Sequence, residues 1–92
     1  MSEYITVDVE QEDDPDVVRL VTNLALAPEG PESYPDRESG EGGSALAQFL
    51  FEIEALAALD LKGKTLTVRR APETEWPALI DEITTALKVF FL

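Results

Sequence analysis

Carboxylates are the chemistry-bearing side chains that this sequence has in abundance. The 92 residues include 19 aspartates and glutamates and seven lysines and arginines, but neither cysteine nor histidine. The chain therefore lacks the ordinary ligands of zinc and iron–sulfur clusters, and it lacks the usual acid–base group of neutral pH. A serine nucleophile would need a lysine base, and no pattern indicates such a pair. We predict a non-enzyme without a cofactor; an enzyme with two converging carboxylates is the lesser alternative.

An acidic turn is the densest cluster of possible metal ligands. It contains Glu10, Glu12, Asp13, Asp14 and Asp16. Oxygen ligands of this kind suit a hard cation such as Ca²⁺, but the segment lacks the aspartate spacing, the central glycine and the closing glutamate of an EF-hand. We therefore favour a solvated turn that binds no metal.

Charge is distributed unevenly along the chain. The net charge is −12, and residues 1–43 hold twelve acids against two bases, whereas residues 44–92 hold seven acids against five bases. Such a surface repels nucleic acid and anionic lipid, so we predict binding to neither. A basic protein surface is a plausible partner, although an acidic surface that only keeps the domain soluble is the simpler interpretation.

Hydrophobic periodicity predicts four strands and two helices. Alternating apolar residues indicate strands over residues 4–9, 17–26 and 65–69, and a nearly continuous apolar run indicates another over residues 55–61. Lys62 and Gly63 supply a tight turn between the last two strands. Three- and four-residue spacing predicts helices over residues 44–53, with Ser44 as N-cap, and over residues 76–90.

Two segments are harder to place. Residues 28–43 contain three prolines, four glycines and five acids, which favours a flexible loop that Tyr34 pins to the core. The apolar C-terminal residues, 89–92, either complete the core or form an exposed patch that would imply a dimer or partner contact.

These elements predict an α+β fold. We expect two layers in the order ββαββα, with a four-stranded antiparallel or mixed sheet covered on one face by both helices. The length fits a single domain over residues 1–92. No basic, apolar leader and no membrane-length apolar run is present, so we expect a cytoplasmic protein.

The predicted helix and hairpin also resemble a known family. The run Ser-Ala-Leu-Ala-Gln-Phe-Leu-Phe-Glu-Ile at residues 44–53 resembles a Ser-Pro-Leu-Ala segment of the NifU/Nfu-type N-terminal domain. Asp14-Pro15-Asp16 lies where that family has Asn-Pro-Asn, and Trp76 matches the tryptophan that opens its last helix. Departures are Ala45 for the usual proline and Glu54-Ala55 for Pro-Gly.

The resemblance implies a role near iron–sulfur cluster assembly. Full-length Nfu proteins carry a second domain whose Cys-X-X-Cys binds the cluster, and these 92 residues hold no such motif. A non-catalytic protein-interaction module is therefore expected, as a monomer or weak homodimer, with iron–sulfur assembly proteins or clients as partners. Candidate partner-binding residues are Asp13, Asp14, Asp16, Lys62, Lys64 and Arg69. The alternative is an acidic inhibitor that occupies a basic surface and has no link to iron–sulfur chemistry.

Overall fold

The computed structural model describes residues 5–91 of the chain. Its strands are β1 (Val7–Gln11), β2 (Val17–Thr22), β3 (Ala27–Tyr34), β4 (Leu56–Gly63) and β5 (Thr65–Arg70). Its helices are α1 (Arg37–Glu41), α2 (Ala45–Leu50) and α3 (Trp76–Phe91). The strands form one antiparallel sheet in the order β1-β2-β5-β4-β3. The α+β class is confirmed, but the predicted four strands and ββαββα order are wrong.

The fifth strand, β3, occupies much of the segment that the sequence predicts to be a loop. It pairs with β4 at both of its ends, with a register shift between Ala27 and Glu32. Pro28 and Pro31 lie in the irregular middle of β3. Proline has no backbone N–H to donate, but at these positions no regular ladder hydrogen bond is lost. Because β3 lies at the edge of the sheet, it tolerates residues that a central strand would exclude.

Strand β1 is shifted towards the acidic turn relative to the prediction. It begins at Val7, and Tyr4, where the predicted strand starts, lies outside the described residues. It pairs antiparallel with β2 across the acidic turn. Val9 is 44% exposed, because β1 is an edge strand without a further neighbour to cover it.

Strand β2 ends four residues earlier than predicted, at Thr22. The Thr22 hydroxyl accepts a hydrogen bond from the amide of Leu24 (3.1 Å) and donates to the carbonyl of Lys64 (2.8 Å). These bonds turn the chain out of the ladder. Leu26 follows the turn and is still buried in the core.

The core lies between the sheet and the helices. Alternate residues of the three central strands point into it, among them Leu20, Leu66 and Leu61, all without exposed surface. Helix α3 contributes its predicted stripe, with Leu79, Ile83 and Leu87 fully buried. Burying a side chain of this size stabilises the fold by about 1.5–3 kcal/mol.

The two short helices are fixed by side-chain caps. Ser44 accepts from the amide of Ala47 (3.2 Å), which confirms it as the N-cap of α2. Asp36 and Ser39 form a capping box at the start of α1. Tyr34 is buried in the core, as predicted, and its hydroxyl accepts from the amide of Ser44 (3.2 Å).

The C-terminal apolar residues divide between the two predicted roles. Phe91 packs against the core. Val89 and Phe90 are 65% and 39% exposed, and Phe90 lies 5.6 Å from the Phe49 ring, centroid to centroid. Leu92 lies outside the described residues.

Candidate functional site

Two ion pairs join the acidic turn between β1 and β2 to the end of β5. Arg69 contacts the Asp14 carboxylate at 3.1 Å, and Arg70 contacts that of Asp16 at 3.0 Å. The antiparallel register places Arg69 opposite Val17, directly beside the turn. The side chains of Asp14, Asp16 and Arg69 are about half exposed, so each pair contributes little stability by itself.

Asp14 also organises the turn from within. Its carboxylate accepts a hydrogen bond from the amide of Asp16 (2.9 Å), and its carbonyl accepts one from the amide of Val17 (3.0 Å). The bond from the Asp16 amide holds the pKa of Asp14 below its ordinary value of 3.8, and the Arg69 guanidinium acts in the same direction. The carboxylate is therefore a fixed acceptor of the turn.

The start of α3 is tied to the same turn. The indole nitrogen of Trp76 donates to the carbonyl of Pro15 (2.9 Å). Arg70 lies over the Trp76 ring and also donates to the carbonyl of Thr74 (2.9 Å). Asp16, Arg70 and Trp76 therefore form one cluster that joins the turn, the sheet and the last helix.

The remaining predicted candidates lie elsewhere. Asp13 is in the acidic turn and is exposed. Lys62 and Lys64 are exposed at the β4–β5 turn, which is the opposite end of the hairpin from Arg69. Among residues 5–91, no ion pair involves these three side chains. The structure thus pairs Asp14 with Arg69, pairs the neighbouring Asp16 with Arg70, and separates these residues from the lysines.

A row of polar side chains crosses the face of the sheet that the helices leave open. In register across five strands it contains Glu10, Arg19, Thr67, Asp60 and Ser33. Arg19 donates to the Glu10 carboxylate (2.9 Å through Nε), and the Ser33 hydroxyl donates to the Asp60 carboxylate (2.6 Å). Cross-strand pairs of this kind fix the orientation of the side chains on the face.

We call this surface, formed by the outward side chains of the five strands, the open sheet face. A shallow depression of about 800 Å³ lies over it and includes Arg19, Asp60, Lys62 and Thr67 in its lining. A smaller one of about 230 Å³ continues towards Arg69. Only strand residues line either depression, so the face offers hydrogen-bond donors and acceptors over a broad area without an enclosed pocket. That geometry suits contact with another protein better than capture of a small molecule.

Neither a metal centre nor a membrane segment is found in the part of the chain that the structure describes. Within residues 5–91, no three carboxylates lie close enough together to hold an ion. No helix in that range is long and apolar enough to cross a membrane.

Sequence reasoning missed part of the open sheet face. The alternation of residues 65–69 predicts that Thr67 points outward, as observed. Ser33 could not be placed on the face, because the segment that contains it was expected to be a loop. The period-2 position of Asp60, two residues before Lys62, was the available signal for its outward orientation.

The fold is shared with solved structures of low sequence identity. A NifU-like protein from Saccharomyces cerevisiae has 16% identity and a TM-score of 0.75, over 97% of this chain and 82% of that one. Protein SAV1430 from Staphylococcus aureus has 6% identity and a TM-score of 0.70, over 88% of this chain and 96% of that one. Identities this low establish similarity of fold alone. No significant match to a curated protein is found.

A family model then assigns the chain. The model described as scaffold protein Nfu/NifU N terminal matches residues 4–92. The chain belongs to the Nfu/NifU N-terminal scaffold family, in agreement with the resemblance found in its helix and hairpin. Membership links it to iron–sulfur cluster assembly.

Proposed function

We propose that this chain is a non-catalytic protein-interaction module that acts in the cytoplasm on a protein of iron–sulfur cluster assembly or delivery. The module contacts a cluster carrier or a client, and the partner supplies the thiolates. The module itself is a monomer or a weak homodimer and contains no resident cofactor.

One observation carries this proposal: a scaffold-family match spans nearly the whole chain, yet the chain has no cysteine and no histidine. Thiolates are the ordinary ligands of iron–sulfur clusters, and imidazoles are the next most common. A domain with neither acts on a cluster only through another protein. Contact with that protein is therefore the function that remains.

The open sheet face is the proposed contact surface. Arg69, with its partner Asp14, lies at one end of the face, and Lys62 lies at the other. The depression between them presents paired charges and hydroxyls whose orientation is already fixed by cross-strand bonds. Pre-ordered side chains lose little entropy on binding. Asp13 and Lys64 are exposed in the turns at the two ends of the face and are included as candidate contacts. Asp16 remains a candidate beside the start of α3, where it pairs with Arg70.

Purification followed by partner identification tests the proposed function. The tagged protein is isolated at moderate salt, its iron content is measured, and co-purifying proteins are identified by mass spectrometry. We expect protein without iron of its own, together with a cysteine-bearing carrier or a cluster-containing client. Recovery of neither kind of partner would contradict the proposal.

The competing function is an acidic inhibitor that covers a basic surface. The net charge of −12 favours it. Salt distinguishes the two functions, because binding through unpaired surface charge collapses as the Debye length shortens from about 30 Å at 0.01 M to about 8 Å at 0.15 M ionic strength. Contact through the open sheet face, where several charges are already paired internally, should persist at the higher salt.

A further inference from the structure

Another depression lies on the helix side of the molecule. A groove of about 570 Å³ runs between the end of α2 and the middle of α3. Its apolar lining consists of Phe49, Ile53, Ala55 and Ala86, all of them half-buried. Each of the four side chains still exposes apolar surface to water. Covering that surface with a partner would therefore be favourable.

The exposed end of α3 extends this apolar surface. Phe90 stacks against Phe49 at 5.6 Å, with the ring planes tilted by 43°. Phe90 and its neighbour Val89 are two of the three large hydrophobic residues in the described chain that are exposed. The groove lining and the end of α3 therefore form a continuous apolar surface, and we call it the helix-side groove.

Acids surround the helix-side groove. Glu52, Glu54 and Glu82 line it and are exposed, and within residues 5–91 none of their carboxylates has an ion-pair partner. Arg37 contacts the backbone of this segment. Its guanidinium donates to backbone carbonyls that include those of Ile53 and Glu54 (3.0 and 3.1 Å). Arg37 thus neutralises none of the three carboxylates by direct contact.

We propose that the helix-side groove binds a basic amphipathic helix of a partner protein. An apolar floor between acidic side chains matches a helix whose apolar stripe is flanked by lysines or arginines. A second copy of this chain is a poor occupant, because it would bring six unpaired glutamates together. The groove lies on the opposite side of the sheet from the open sheet face, so both surfaces can be occupied at once.

A synthetic peptide tests this inference without any iron–sulfur protein. The probe is a helical peptide of about 18 residues, long enough to form a helix, with leucines at helical spacing and lysines elsewhere. Fluorescence anisotropy measures its affinity at about 0.15 M salt. A peptide of the same composition in an order that breaks the stripe is expected to bind at least tenfold more weakly.

Two triple variants separate the groove from general charge attraction. Glu52→Gln, Glu54→Gln, Glu82→Gln removes the acids of the groove, and Glu12→Gln, Asp13→Asn, Glu29→Gln removes the same number of acids elsewhere. We expect the first to weaken peptide binding about tenfold and the second to change it less than about twofold. Equal losses in both would overturn the proposal, because binding would then follow net charge alone.

A third variant tests the apolar floor. Phe90→Ser removes an exposed ring and should weaken the peptide several-fold without changing the melting temperature by more than a few degrees. Unchanged affinity would overturn the proposal. It would also be overturned if the unmodified protein formed concentration-dependent dimers that Phe90→Ser abolishes, because the groove would then serve self-association.

The inference rests on the proposed function only in that the chain binds proteins. If the unmodified protein binds the peptide but no cluster carrier or client, the proposed function fails and this inference stands.

Discussion

The guanidinium of Arg70 lies over the indole ring of Trp76, with its central carbon 5.4 Å from the ring centroid. The same arginine pairs with Asp16, and the same tryptophan donates to the carbonyl of Pro15. These contacts attach the start of α3 to the acidic turn and to β5. They explain why Trp76 and the Asp-Pro-Asp run, which lie far apart in the chain, belong to one structural unit.

Replacing Trp76 with phenylalanine should destabilise the protein by about 1 kcal/mol. The smaller ring can still stack under Arg70, but it cannot donate to the Pro15 carbonyl, and a typical hydrogen bond contributes about 0.5–1.5 kcal/mol. For a domain of this size we expect the melting temperature to fall by about 4–8 °C in a calorimetric scan. An unchanged melting temperature would show that the indole bond does not stabilise the turn.

Stability should fall in acid through Asp14. Its pKa in the folded protein lies below the ordinary value of 3.8, so the folded state favours the charged carboxylate. The resulting stabilisation is present above the unfolded pKa and is lost as the pH falls through the folded pKa. Urea unfolding between neutral pH and about pH 3 measures this loss. In Asp14→Asn this contribution to the acid dependence should be absent, and an undiminished slope below pH 4 would contradict the assignment to Asp14.

Gly40 should not accept a side chain. A Cβ at this position would overlap the ring of Phe51, which is buried in the core. We expect Gly40→Ala to lower the free energy of unfolding by about 1–3 kcal/mol, the usual cost of overpacking.

Gly42→Ala is the matched control for that change. A Cβ added at Gly42 would have no atom within 4 Å apart from those of the adjacent residues, and the φ of −97° at this residue is open to any side chain. The control should stay within about 0.5 kcal/mol of the unmodified protein in urea unfolding. Alanine has a higher helix propensity than glycine, so propensity alone would not destabilise either variant. Equal destabilisation by both alanines would show that the Phe51 contact does not set the cost at Gly40.

Arg37 should contribute more to the stability of the fold than its exposed position indicates. Its guanidinium donates to the carbonyls of Phe51, Ile53, Glu54 and Leu56 and so fixes the connection between α2 and β4. Lysine cannot reproduce this planar fork. We expect Arg37→Lys to lower the free energy of unfolding by about 1–3 kcal/mol and to raise amide exchange within residues 51–56. Unchanged exchange there would contradict the role of the fork.

The sequence allowed much of the fold to be predicted because periodicity is strong in its second half. The stripe of α3 and the alternation of β5 follow from side-chain spacing alone. Strand β3 escaped prediction because Pro28, Gly30 and Pro31 are typical of a loop, and only its edge position makes them compatible with a strand. Edge position is a property of the assembled sheet, which local sequence does not report.

Several residues of the candidate site could be predicted from the sequence, but which of them lie together could not. Asp14 and Arg69 were both chosen for their exposure and charge, but their pairing depends on the β2–β5 register. Two strands that are distant in the sequence acquire that register only through the shared core. For the same reason, no local pattern could indicate the row that extends from Glu10 to Ser33.

The central claim is that a cluster carrier binds the open sheet face, and an NMR titration tests it most directly. The ¹⁵N-labelled protein is titrated with a cluster-loaded domain that carries the Cys-X-X-Cys motif. We predict shift changes at Lys62, Thr65 and Thr67. Lys62→Glu should weaken binding by about threefold to fivefold, whereas the same charge change at Lys88 on α3 should alter it less than about twofold. Absence of shifts at saturating carrier, or shifts confined to the helices, would contradict the account.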